Sequence, residues 1–235
     1  MTELEETAYH EAGHTIASIA NFISFDQVTI KPNTEAAFLG RLQAQGIPAN
    51  LRHLQIMGHG SFTARRVNAQ AEVQIDASGV LAHLFQDLID DDGEYEIQDF
   101  DPISELEYPG GVNIYGTRAD LAHSLDVAEK AFPRAPRSLR LYWILENTFF
   151  IAKELLERWP DVDAVAKALI EKETLDQEDV YETIENKGSP YPKRKRREID
   201  GILDGWQSDS RWKALKGQYC LKMVSRGIHE NNLHS

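Results

Sequence analysis

His10 and His14 lie four residues apart near the start of the chain, and Glu11 directly follows the first of them. Two such side chains share a face only if the segment is helical, where residues four apart stand one turn apart. The surroundings favour that helix, which should run to about Asn21. Thr2-Glu3-Leu4-Glu5 has the pattern of a capping box, and Ala8, Ile16, Ala17, Ile19 and Ala20 supply apolar packing surface. Gly13 interrupts the run. A glycine there is about 1 kcal/mol less favourable than alanine, which points to another backbone passing close by. Two neutral imidazoles one turn apart can hold one metal ion, and bonds of about 2.0–2.1 Å suit zinc. A catalytic zinc site needs a third protein ligand and a water, and Glu11 is placed as the general base beside that water. The bare pattern also arises in unrelated chains, but here small and apolar residues flank it.

The rest of the chain reads as mainly α with a small sheet near this helix. Residues 26–31 carry β-branched alternation that stops at Pro32, and residues 38–45 read as a second strand. Apolar residues at helical spacing predict helices over 67–89, 117–132, 138–159, 161–171 and 175–186, with Thr174 and Gln177 capping the last. Residues 46–61 and the acidic stretch 90–111 read as loop. Gly188-Ser-Pro-Tyr-Pro marks a boundary, so residues 1–188 are expected to form one domain and 189–235 a basic linker and C-terminal tail.

Composition narrows the function. The 235 residues include 25 Lys plus Arg and 38 Asp plus Glu, a net charge of −13 that opposes nucleic-acid binding. One cysteine, Cys220, permits no internal disulfide and no cysteine-rich zinc cluster, which suits a cytoplasmic, reducing setting. No apolar run reaches the roughly 18 residues of a spanning helix.

The longer string Ala8-Tyr-His-Glu-Ala-Gly-His-Thr-Ile16 resembles the active-site helix of the FtsH-type ATP-dependent zinc metalloproteases. Val28-Thr-Ile-Lys-Pro32 with Leu39-Gly40 is similar to the strand and glycine that follow it in that family. Residues 164–175 and Glu178-Asp-Val180 resemble the family's closing helices. The resemblance spans about residues 6–186, closely at both ends and loosely between 46 and 115. It implies a helical zinc-metallopeptidase domain, a polypeptide substrate and a homo-oligomer. It also implies an aspartate as third zinc ligand, in a Gly-x-x-x-Asp-Leu stretch that Gly116-Thr-Arg-Ala-Asp120-Leu121 fits. Asp120 also falls in the first turn of its helix, where a carboxylate is favoured in any case. His123, a turn further on, is the nearest rival ligand, with a supporting or surface role expected.

The chain departs from the family pattern in three ways. Ser78-Gly79-Val80-Leu81-Ala82 stands where the family has paired glycines followed by basic and acidic residues. The interval from His14 to Gly116 is longer than usual. No Gly-x-x-x-x-Gly-Lys-Ser/Thr loop occurs, so the expectation is a peptidase part without ATPase module or membrane anchor, served by a separate ATPase or chaperone. The alternatives are a non-proteolytic zinc-binding regulatory or interaction module that keeps the peptidase fold, and a zinc amidohydrolase for a small substrate.

Other motifs carry less. Asp90-Asp-Asp-Gly93 does not place ligands at calcium-loop positions. His53 and His59 have no zinc spacing, Gly110-Gly111 is a turn signal, and Lys193-Arg-Lys-Arg-Arg197 reads as a solvated linker. Ser61 and Ser78 lack histidine and acid partners for a serine hydrolase.

Overall fold

A computed structural model describes residues 2–31, 41–44, 61–90 and 117–225. Among these residues are eight helices: α1 (Glu3–Ala20), α2 (Ser61–Asp90), α3 (Thr117–Ala131), α4 (Arg137–Glu157), α5 (Trp159–Lys172), α6 (Gln177–Asn186), α7 (Lys193–Ser208) and α8 (Ser210–Ser225). Strands β1 (Phe25–Thr29), β2 (Arg41–Ala44) and β3 (Thr174–Asp176) form one antiparallel sheet in the order β2-β1-β3. The chain is mainly α with a small sheet, as its periodicity predicts.

The start of α1 follows from its first residues. Glu5 N donates to Thr2 Oγ1, and Thr2 N donates to Glu5 Oε2 at 2.8 Å, so both halves of the capping box form. Glu3, Glu5 and Glu6 add negative charge at the positive end of the helix dipole. From Ala8 to Ser18 every residue of α1 is buried, so this helix is enclosed rather than laid on a surface.

What encloses it is chiefly α2 and α5. Thirty residues make α2 roughly 45 Å long, and α1, α3 and α4 all pack against it. The crossing of α1 and α2 explains Gly13. A Cβ there would run into the carbonyl oxygen of Ser78 and lie 2.7 Å from Ala82 Cβ. On its other side α1 is pinned to α5: Tyr9 stacks on Trp159 at 5.9 Å, and its hydroxyl donates to the buried Asp163 at 2.8 Å. Lys167 and the backbone N–H of Ser189 donate to the second Asp163 oxygen.

Two large apolar clusters divide the interior among the described residues, and a third, small one joins Val80 and Leu84 of α2. The first gathers Ile16 of α1, Phe25 and Val28 of β1, Leu81 and Phe85 of α2, Leu155 of α4, and Trp159 and Leu169 of α5. The second joins Val73 of α2, Leu121 and Val127 of α3, Leu141 and Leu145 of α4, and Trp212 of α8.

Three details differ from expectation. Residues 174–176 are not the start of a helix. They form β3, with Val28 opposite Leu175, and Asp176 rather than Thr174 caps α6 by accepting from Asp179 N at 2.8 Å. Val28 lies at the sheet's centre, paired on both sides. Residues 193–208 and 210–225, read as linker and tail, are helices that contribute Ile199 and Leu203 to the first cluster and Trp212 and Leu215 to the second. Burial of those side chains outweighs the repulsion of the basic run, in which Arg196 pairs with Glu157 and reaches the Leu156 carbonyl. Apart from Ser61 and Asp90 at the ends of α2, the expected loops lie outside the described residues. So do His53, His59, Gly110, Gly111 and the Asp-Asp-Gly of 91–93.

Candidate metal centre

The helical spacing of His10 and His14 brings their Nε2 atoms to 2.9 Å with the rings edge to face. Asp120, in the first turn of α3, reaches the same point: its Oδ2 lies 3.2 Å from His10 Nε2 and 3.7 Å from His14 Nε2. Both histidines are buried and Asp120 is half-buried. Among the described residues this is the group of three whose ligand atoms converge, all within 4.8 Å of one another. The sequence-predicted ligand set is therefore brought together, although more than a hundred positions separate its first and last members.

The convergence has a chemical consequence. His14 Nδ1 lies 2.7 Å from the Ile75 carbonyl oxygen, which can only accept, so Nδ1 carries the proton and Nε2 of the neutral ring presents a lone pair. Asp120 Oδ2 is buried and close to both rings yet accepts no hydrogen bond. The His14 Nε2 lone pair and the Asp120 carboxylate oxygen repel one another unless a cation, or a proton on His10 Nε2, lies between them. A tetrahedral ion with bonds of about 2.05 Å would separate its ligands by about 3.4 Å, and separations of 2.9, 3.2 and 3.7 Å bracket that edge. Two imidazoles and one carboxylate are a donor set that zinc accepts, with a fourth position left for water. The residues fit the metal that the motif predicts.

Glu11 is 5% exposed. Burial raises its carboxyl pKa to about 7, with His14 acting to lower it and Asp120 to raise it further. Its Oε2 is buried and receives no hydrogen bond.

One turn of α2 supports the ligands, and sequence reasoning noted it only as a departure from a pattern. Ile75 O accepts from His14 Nδ1 and also from Ser78 Oγ, which accounts for Ser78 without any nucleophilic role. Gly79 lies directly against the rings. A Cβ on it would fall 2.6 Å from His14 Cε1 and Nε2 and 2.8 Å from His10 Cε1. A glycine amid helical apolar spacing was the available signal. His123 is not a ligand; its Nδ1 is 2.9 Å from Asp76 Oδ2, away from the histidine pair. No described helix is long and apolar enough to cross a membrane. No protein-family profile and no curated protein matches the chain.

Proposed function

We propose that this chain is a zinc-dependent endopeptidase of the kind its resemblance to FtsH-type peptidase domains implies, with His10, His14 and Asp120 as ligands and Glu11 as general base. One observation carries the reading: three ligand atoms from two separate helices converge beside a buried carboxylate, one oxygen of which has no hydrogen-bond partner. A bound zinc ion supplies Lewis acidity and draws the pKa of a water down to about 7.

The chain's own residues then have distinct tasks. His14 is held in one tautomer by Ile75 O, which keeps Nε2 available as a ligand. Glu11 takes the proton of the attacking water at its unpaired oxygen and returns it to the leaving amine. Burial favours the protonated form of its carboxyl and a bound zinc would oppose that, a balance that suits a group that takes up and gives back a proton. The enclosing helix α1 keeps Glu11 and the histidines in fixed relation.

An extended substrate needs backbone partners. Of the two strands expected to serve, β1 has none to spare, because β2 and β3 pair with both of its edges. β2 is bonded on one side by β1, and among the described residues no strand pairs with its other side, the edge that a polypeptide would pair with. Unfolded chains would be delivered by a separate ATPase or chaperone, with the peptidase acting as a homo-oligomer. The single cysteine supports a cytoplasmic setting.

Digestion of an unstructured polypeptide such as casein tests the reading. The wild type should cleave it, and Glu11→Gln should lose about 100-fold or more of the rate while keeping its metal. Zinc retention without cleavage by the wild type would favour the non-proteolytic zinc module instead.

A further inference from the structure

Between Ile75, which orients His14, and Gly79, which walls both imidazoles, lies Asp76. It faces α3 rather than α1. Ser124 Oγ donates to Asp76 Oδ2 at 2.8 Å, and His123 Nδ1 lies 2.9 Å from the same oxygen and 3.1 Å from Oδ1. His123 and Ser124 follow Asp120 by three and four residues, so they share its face of α3 one turn on. Apolar contacts share the α2–α3 seam, with Val73 and Leu121 in one cluster, and Glu72 of α2 also faces the charges of His123, Asp126 and Lys130.

A carboxylate 8% exposed is an expensive group to place in such a seam. Burial raises its pKa, and the donors from α3 act in the opposite direction. Apolar contacts alone let two helices slide or rotate by small amounts, because they are not directional. Two hydrogen bonds to one carboxylate are directional, and they fix both the height and the rotation of α3 on α2.

We propose that Asp76 is a positioning residue for the third ligand: by binding His123 and Ser124 it sets α3 so that Asp120 Oδ2 meets the histidine pair. Its side-chain hydrogen bonds go to His123 and Ser124 and not to the ligand atoms, so it acts through Asp120. The inference rests on the metal site described above.

The test is a double-mutant cycle on the full chain, read by zinc affinity in chelator competition and by the visible spectrum of the cobalt-substituted protein. Asp76→Ala should weaken zinc binding by about 10–100-fold and move the cobalt spectrum toward that of Asp120→Ala. Asp76→Asn and Ser124→Ala should have smaller effects in the same direction. In the Asp120→Ala background, Asp76→Ala should change the affinity no further, since the ligand it positions is gone. An equal loss in both backgrounds would mark a general structural role and overturn the proposal, as would a folded Asp76→Ala protein with wild-type affinity and spectrum. Should Asp76→Ala fail to fold, Asp76→Asn and Ser124→Ala carry the same cycle and the same two outcomes. A wild type that binds neither zinc nor cobalt would overturn the metal site itself, a result distinct from any failure of the cycle.

Discussion

His10 and His14 need only one turn of α1 to stand together, whereas Asp120 joins them because α3 packs against α2 in one particular way. The histidine arm sits in the first apolar cluster, on a helix buried from Ala8 to Ser18 and pinned through Tyr9 to Asp163. The aspartate arm springs from the second cluster, beside Leu121, and meets α2 through Asp76. One half of the ligand set is thus encoded locally and the other by tertiary packing. The difference means that disturbances of equal size should affect the metal unequally, according to which arm they reach.

Gly79→Ala should have the largest effect on the site, because it strikes the arm that looks self-sufficient. The added methyl would need the space of both imidazoles, and zinc affinity should fall by about 100-fold or more, beyond what loss of an outer partner produces. Helix propensity alone favours alanine by about 1 kcal/mol, so a melting curve taken with the affinity separates displaced ligands from unfolding. Wild-type affinity in this variant would show that the rings do not need that wall.

A matched pair of truncations separates the arms. Leu121→Ala in the second cluster and Leu169→Ala in the first should each destabilise the fold by about 2–5 kcal/mol in denaturant titrations. Only Leu121→Ala, adjacent to Asp120, should also weaken zinc binding in the folded protein. Equal affinities for the two variants would mean that the two arms respond alike. The smallest effect belongs to Asp176→Ala, which removes the cap of α6. It should lower stability by about 1 kcal/mol and leave zinc affinity unchanged, since α6 joins the first cluster through Val180 and supplies no residue to the ligand group.

The same division governs what could be read in the sequence. The capping box of α1, the histidine spacing and the meaning of Gly13 are local signals, and the structure follows them. β3 was not legible, because three residues become a strand only when β1 lies beside them. Helices α7 and α8 were obscured by the basic run at 193–197, although Ile199, Ile202, Leu203 and Trp206 recur at helical spacing and pack on the first cluster. For Asp120 the residues alone offered a first-turn carboxylate; its convergence on the histidines depends on how α3 packs. Asp76 gave no signal at all. One acidic residue on a mixed helix looks like any solvated position until the opposing helix supplies its donors.

Elemental analysis of the purified full chain tests the central claim most directly, run on the wild type beside Asp120→Ala. The wild type should carry about one zinc per chain, and the variant, keeping both histidines, should lose it during dialysis against a chelator that leaves the wild type loaded. A wild type that is metal-free and fully stable, or an Asp120→Ala protein that retains zinc as firmly, would contradict the three-ligand site.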